Sequence, residues 1–392
     1  MKVAFITLGC KVNQFYTDCI KQKHINNGDK VTSINDIPDI AYINTCAVTT
    51  HAGHESRKIF RKAKKYAKDI RIMGCQGKLF PEEFENYEFI DETDWIKKYS
   101  NPHQERKRAY LPIQAGCNNF CTYCIVPYAR GKNYSLPKEV VIRNLKERID
   151  EGYKEVVLTG MHVGSYNYKN FNLISLLEET LKFNVRIRLT SIKPDFIDEK
   201  FLELFQNDNL MPYLHISQQS GDNKILKRMA RTYKRDKTIW ISEKLLDINK
   251  NARIAGDFIV GFPGENQDEF RSTLNLIKEA HFSHLHIFRY SSRPYTLASI
   301  YPDQIPEIVK KKRSKILIEF GKEQREKFIK QQIGKKYYVL VENKSQIGNG
   351  FSSGITPNYI KVHFQYNKFD KDFLPVVIKD FKNGYVYGKI EE

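Results

Sequence analysis

Three short apolar runs in the first hundred residues, Val3–Leu8, Ile40–Ile43 and Ile70–Met73, each lead almost at once into a cysteine: Leu8-Gly9-Cys10, Ile43-Asn44-Thr45-Cys46 and Met73-Gly74-Cys75. Apolar runs this short, alternating with polar stretches of helical length, are the pattern of parallel strands and crossover helices. In an open parallel sheet the loops that follow the strands all leave from one carboxyl edge, where such folds build their sites. Three thiols distant in sequence then converge. The competing reading is three unrelated buried cysteines, because free Cys packs as a small hydrophobe. A converged trio suits a cluster with one iron left open, or zinc with an outside ligand.

The alternation restarts after a joint at Pro102–Arg108. Candidate strands are Tyr110–Gln114, Glu155–Leu158, Val185–Leu189, Tyr213–Ile216, Arg253–Val260 and His284–Tyr290, with helical periodicity over Pro137–Tyr153, Leu173–Phe183 and Arg235–Asn249. Six βα units in a row imply a curved, partly closed parallel barrel with its site at the carboxyl ends of the strands. A tight C-x3-C-x2-C group, Cys117, Cys121 and Cys124, follows the first of these strands. After a basic helical connector, Ile305–Lys330, the period changes to short strand-like runs at Lys336–Glu342, Tyr359–Phe364, Val376–Phe381 and Tyr385–Ile390, with a hairpin signal at Asn383-Gly384. A small antiparallel barrel is expected there, as an oligonucleotide-binding module or a structural cap. The expected fold class is therefore α/β with three domains. Residues 1–103 form an open parallel α/β sheet domain, 104–330 a partial (βα)6 barrel, and 331–392 the small β-barrel.

Lys and Arg number 64 against 46 Asp and Glu, a net charge of +18 that favours polyanions such as nucleic acid, unless it reflects only a Lys-rich surface. No apolar run approaches the roughly 18 residues of a membrane span, and Met1–Cys10 lacks the long apolar region and cleavage site of a signal peptide. The expected compartment is the cytoplasm, with no membrane partner. Seven cysteines in a reducing compartment point to metal or catalytic use rather than disulfides. Cys19, left over from the two trios, reads as a packed small residue.

Three thiolates on one loop can hold three irons of a 4Fe-4S cluster and leave the fourth open to a substrate; in radical enzymes that iron chelates S-adenosylmethionine. Zinc needs a fourth ligand, and no His or Cys follows Cys124 at the usual spacing. A ferredoxin-type role needs a further cysteine in the run and a much smaller fold.

The trio with Tyr123 just before its last cysteine, in the string GCNNFCTYCIVPYARG (Gly116–Gly131), resembles the radical S-adenosylmethionine methylthiotransferases. So do LGCKVNQ (Leu8–Gln14), NTCAVT (Asn44–Thr49), Gly74-Cys75, LTGMHVGSY (Leu158–Tyr166), HISQQSGDNKILKRMARTY (His215–Tyr233), DFIVGFPGE (Asp257–Glu265) and YSSRPYTLA (Tyr290–Ala298). The resemblance covers nearly the whole chain, and its last domain is like the family's RNA-binding TRAM barrel.

The resemblance implies a radical-SAM cluster on Cys117, Cys121 and Cys124, and a second 4Fe-4S cluster on Cys10, Cys46 and Cys75 whose open iron carries the sulfur to be inserted. One S-adenosylmethionine supplies the methyl group and another the radical. It also implies cofactor contacts from Thr159-Gly160 (otherwise a strand-end turn), Ser191, Gln219-Ser220-Gly221 and Arg231 (otherwise a solvated helix-end cation), with Tyr123 near the adenine. Implied partners are the tRNA anticodon stem-loop, a reductant protein such as a flavodoxin or ferredoxin, and a sulfur donor. The LGCKVNQ and NTCAVT forms look most like the branch that methylthiolates carbon 2 of N6-threonylcarbamoyladenosine at tRNA position 37. Other branches act on isopentenyl-adenosine or on a ribosomal protein aspartate. Outside this class stand an RNA-binding iron-sulfur sensor without turnover, and a radical enzyme of other chemistry.

Overall fold

The computed structural model describes residues 1–84, 87–91, 101–104, 106–348, 350–368 and 370–391; residue 105 of the expected interdomain joint lies outside them. The first domain is a five-stranded sheet built from β1 (Lys2–Thr7), β2 (Lys30–Thr32), β3 (Ile40–Thr45), β4 (Asp69–Gly74) and β5 (Glu88–Ile90), with helices α1 (Lys11–Asn26), α2 (Thr50–Tyr66) and α3 (Cys75–Leu79). Every pairing is parallel and the order is β2-β1-β3-β4-β5. That order reverses between β1 and β3, the switch point at which doubly wound sheets open a crevice outside their carboxyl ends. Alternate side chains bury on opposite faces. Ala41, Ile43, Ile70 and Ile72 pack with Phe60 of α2, while Met73 packs with Val12, Phe15 and Ile20 of α1.

The central domain carries β6 (Arg108–Pro112), β7 (Glu155–Thr159), β8 (Arg186–Leu189), β9 (Tyr213–Gln219), β10 (Arg253–Val260) and β11 (Phe282–Arg289). They form two parallel three-stranded sheets, β8-β7-β6 and β9-β10-β11, joined among the described residues by the isolated bridges Ile187–Leu210 and Ile192–Ile216. The barrel is thus curved and incompletely closed, as six βα units dictate. Leu111, Leu158, Ile187, Leu214, Phe258 and Phe282 bury in one continuous core. The long connector helix, Glu307–Lys330, packs along β11 and covers that edge of the sheet.

The last domain is a closed barrel of five strands, β12 (Lys336–Lys344), β13 (Phe351–Ile355), β14 (Lys361–Gln365), β15 (Phe373–Lys382) and β16 (Tyr385–Ile390), in the order β12-β13-β14-β16-β15. Four seams are antiparallel and the β14–β16 seam is parallel. This strand count and order are those of oligonucleotide-binding barrels. Three details differ from the sequence reading, the first being the parallel β14–β16 seam in a barrel expected to be antiparallel. β13, Phe-Ser-Ser-Gly-Ile, has too few apolar residues to announce a strand, and Tyr359 sits in the turn before β14 rather than in it.

The barrel domains stack end to end. Arg186 donates to Tyr338 O (2.6 Å) and Arg253 to Tyr359 O (2.7 Å) from the first residues of their strands, and Arg188, two residues into β8, donates to Pro357 O (3.1 Å). The first domain meets the opposite, carboxyl end through Thr50–Ser291 (2.8 Å), and Asp18 pairs with Arg106 (2.8 Å) in the segment leading into β6. Among the described residues no helix is long and apolar enough to cross a membrane.

Candidate active site

Cys10 ends the loop after β1 as the residue that opens α1, Cys46 directly follows β3, and Cys75 begins α3 after β4. All three line one cavity of ≈ 590 Å³. Gly74 makes the third approach possible. It sits at φ +87°, and a Cβ there would lie 2.3 Å from Thr45 O, so the β4 loop could not pass so close to β3 with any other residue. Asn13 ties the loops together, donating to Leu8 O (2.9 Å) and Thr45 O (3.1 Å), while its Oδ1 accepts from Arg130. Arg130 also points Nε at Cys75 Sγ, 3.2 Å away, so a residue just beyond the second trio touches the first.

Cys117, Cys121 and Cys124 line a second cavity of ≈ 430 Å³ together with Tyr123, Gln219 and Arg231. Cys10, Val126, Met161, Ser191 and Asp257 line both cavities, so the two trios face one continuous space. All seven cysteines are free thiols. Burial pushes the Cys46 and Cys117 thiols up and that of Cys124 up to about 12, so these sulfurs ionise when a bound cation shares their charge. A tetrahedral zinc with Zn–S bonds near 2.3 Å needs sulfurs roughly 3.8 Å apart. In neither trio do all three sulfurs lie within even 4.8 Å of one another. Three thiolates without a fourth protein ligand suit a polynuclear cluster with one iron left open. Cys19 is the packed residue expected: buried in the α1 core, its thiol is driven far up by desolvation.

The residues expected around the cofactor divide. Tyr123, Gln219 and Arg231 reach the second cavity, Thr159 and Gly160 the first, and Ser191 both. Arg231 is not a solvated cation. It is drawn inside by Ser217 O, donates to Tyr233 OH (2.8 Å) and places Nη1 3.5 Å from Cys121 Sγ. At Gly160 a Cβ would lie 2.8 Å from Gln114 O, so the approach of Gln114 already demands glycine there, whatever binds beyond it. Ser220, expected at the cofactor, lines neither cavity. Gln219 is held at φ 71°, which turns the chain away, and Ser220 Oγ instead accepts from Asp222 N (3.2 Å) at the start of the next helix.

The wall of the barrel lumen carries residues that no motif spacing announced. His215 Nε2 and His286 Nδ1 lie 3.0 and 3.2 Å from the same Asp257 oxygen. These hydrogen bonds hold the Asp257 carboxyl well below the usual range despite its burial, and a carboxylate only accepts, so both imidazoles donate to it. The three ligand atoms all lie within 4.8 Å of one another, and each imidazole spends one ring nitrogen on Asp257. Deeper in, Arg188 grips Glu155 at 2.8 and 3.1 Å, Arg108 pairs with Glu342 at 2.8 Å, and Tyr359 enters from the last domain. Period-2 alternation along β8 to β11 was the one available signal, since it sends His215, Asp257 and His286 to the same inner face.

A partial parallel barrel with a three-cysteine loop beyond its first strand defines a radical S-adenosylmethionine enzyme. Residues 111–277 match the radical SAM superfamily, and residues 2–93 match a family described only as uncharacterized, UPF0004. The chain is 34% identical to the threonylcarbamoyladenosine tRNA methylthiotransferase MtaB of Aquifex aeolicus, covering 92% of this chain and 96% of that protein. It is 32% identical to a tRNA-2-methylthio-N(6)-dimethylallyladenosine synthase of Fusobacterium nucleatum, covering 99% of each. Among solved structures, the radical S-adenosylmethionine methyltransferase TsrM of Kitasatospora setae shares the fold, with TM-score 0.58 and 12% identity over 76% of this chain and 75% of that one. The chain belongs to the tRNA methylthiotransferase family of radical S-adenosylmethionine enzymes. A 4Fe-4S cluster and S-adenosylmethionine follow from that membership.

Proposed function

We propose that this enzyme inserts a methylthio group at carbon 2 of N6-threonylcarbamoyladenosine at position 37 of tRNA, using two 4Fe-4S clusters. The observation that carries the reading is the single space onto which both cysteine trios open. In this reading Cys117, Cys121 and Cys124 hold the radical-SAM cluster, and Cys10, Cys46 and Cys75 hold the second. When bound, the first cluster with S-adenosylmethionine supplies an electron and a 5′-deoxyadenosyl radical, and the second carries the sulfur to be transferred.

The protein's own share is placement and exclusion of water. Arg231 and Tyr123 border the cofactor, with Gln219 and Ser191 at its polar atoms and Thr159-Gly160 offering backbone. Arg130 and Asn13 keep the first trio registered against the second. The domains run 1–103, 104–330 and 331–392. The last barrel and the net charge of +18 serve the phosphates of the anticodon stem-loop, whose unstacked bases are accessible to an enclosed site. A cytoplasmic reductant of the flavodoxin or ferredoxin kind and a sulfur donor complete the reaction. The 34% identity to a threonylcarbamoyladenosine enzyme supports the branch.

Nucleoside mass spectrometry of total tRNA, with and without the gene, tests the proposal. Loss of 2-methylthio-N6-threonylcarbamoyladenosine with accumulation of the unthiolated nucleoside is expected. Loss of the methylthio group from the isopentenyl nucleoside instead would overturn the branch and keep the chemistry. No change in either would remove tRNA as the substrate.

A further inference from the structure

The far end of the lumen has a construction that methylthio transfer itself does not need. Lys11 from the first domain, Arg108 and Arg188 from the central barrel and Tyr359 from the last domain all line the same cavity as Cys10, Cys46 and Cys75. Tyr359 is held at φ 65°, a conformation that a bulky residue adopts only when its surroundings compel it. Its carbonyl is pinned by Arg253 (2.7 Å), and its ring packs against Tyr213 (4.6 Å between centroids) beneath the guanidinium of Arg188 (4.7 Å). The strain aims a phenol from one domain into the active cavity of another.

The charges there are uneven. Arg188 is committed to Glu155 in a bidentate pair, and Arg108 shares Glu342. Arg186 and Arg253, at the starts of β8 and β10, donate to the carbonyls of Tyr338, Tyr359 and Ser283 rather than to carboxylates. Three carboxylates, Glu155, Glu342 and Asp257, thus stand against four arginines, with Lys11 added from the first domain. Burial alone would push the Tyr359 phenol up, yet Arg108, Lys11 and Arg188 outweigh it and hold the phenol below its ordinary value. The spot is electropositive and carries hydrogen-bond donors, the requirements of a buried carboxylate.

An adenosine seated with carbon 2 toward the cysteines carries its N6 substituent on a neighbouring edge, within reach of this wall. A threonylcarbamoyl group ends in a carboxylate, whereas a dimethylallyl group is wholly apolar. We propose that Lys11, Arg108 and the Tyr359 hydroxyl form a carboxylate-binding end of the lumen, which selects adenosines whose N6 substituent ends in an anionic group. His215 and His286, each donating to Asp257, leave Nδ1 and Nε2 respectively as acceptors for the N–H and O–H groups of the same substituent. This assignment rests on the function proposed above and adds to it the chemistry of discrimination.

The test uses the cluster-loaded enzyme and three anticodon stem-loops, bearing N6-threonylcarbamoyladenosine, its carboxylate methyl ester, or plain adenosine. Wild type should bind the free carboxylate about 10- to 100-fold more tightly than the ester, the range for a charge-assisted hydrogen bond. Lys11→Met and Tyr359→Phe should each shrink that ratio by about tenfold, and Lys11→Arg should retain most of it. Equal weakening of all three stem-loops by the variants, with the ratio intact, would sink the assignment but leave the proposed function standing. Wild-type binding of ester and acid with the same affinity would sink it too, again without touching the proposed function. A wild type that, given a fourth stem-loop bearing isopentenyl-adenosine, binds it in preference to the other three would overturn both.

Discussion

The two cysteine trios, for each of which a cluster is proposed, are built in opposite ways. Cys117, Cys121 and Cys124 lie within one short loop, so their convergence is local. Cys10, Cys46 and Cys75 hang from the ends of three parallel strands and meet only because β1, β3 and β4 are neighbours in the sheet. A local site survives much disturbance of its domain, because few long-range contacts define it. A site assembled from strand ends is only as sound as the register between them, and here that register leans on Gly74, Asn13 and Arg130.

The largest effect separates the trios outright. Replacing Cys117, Cys121 and Cys124 with Ala should cut S-adenosylmethionine cleavage at least ~1,000-fold. The equivalent change at Cys10, Cys46 and Cys75 should abolish methylthio transfer, keep 5′-deoxyadenosine formation, and leave about half the iron, as expected for two equal clusters. Iron analysis and product chromatography decide this. If the second triple variant keeps its full iron content, the first-domain trio is not a cluster site.

A smaller effect falls on one trio alone. Gly74→Ala forces a Cβ toward Thr45 O and strains a left-handed residue, at a cost on the order of 3 kcal/mol to the first domain. Denaturation should show an earlier transition and early release of roughly half the iron. Simultaneous loss of both clusters would break the contrast between a local site and an assembled one. Arg130→Met is gentler. It removes the N–H directed at Cys75, so iron loss from the first-domain trio to a chelator should quicken about tenfold, the scale of lost outer-shell contacts to metal ligands. Unchanged release would show that Arg130 only fills space.

The smallest effect lies in the lumen, away from both trios. Burial, with Arg253, His286, His215 and Arg325 nearby, pushes the His284 imidazole down to about 3. Its folded pKa lies below its unfolded one, so its contribution to stability is present above about pH 6.5 and is lost progressively as pH falls toward 3. Acidification from pH 7 to pH 5 should therefore cost on the order of 1–2 kcal/mol, discounted for partial exposure. His284→Phe should flatten that part of the pH–stability curve, and an unaltered slope would assign the acid sensitivity elsewhere.

The legible parts share a cause. Parallel strands buried on both sides must be written as short apolar runs, so β1, β3, β4 and the six strands of the central barrel stand out, and Arg253–Val260 spans the strand found. The tight cysteine loop is legible because its geometry is encoded within eight residues. β13 was missed because a strand of a small barrel can be made largely of Ser and Gly when its neighbours supply the apolar contacts, as Val339 and Phe364 do. Ser220 lines neither cavity, and no local pattern announced that the Gln219 before it is left-handed.

By itself the sequence determined the classes of element, their order, and the residue types that can bind iron, since each is written in local spacing and periodicity. Only the tertiary structure decided that both trios share one space, that Arg130 reaches across to Cys75, and that Tyr359 closes a lumen belonging to another domain. These contacts join residues up to some three hundred positions apart, brought together by sheet order and domain stacking. No local pattern encodes such a meeting. It is settled by which surfaces bury against which, and that choice is made by the whole chain at once.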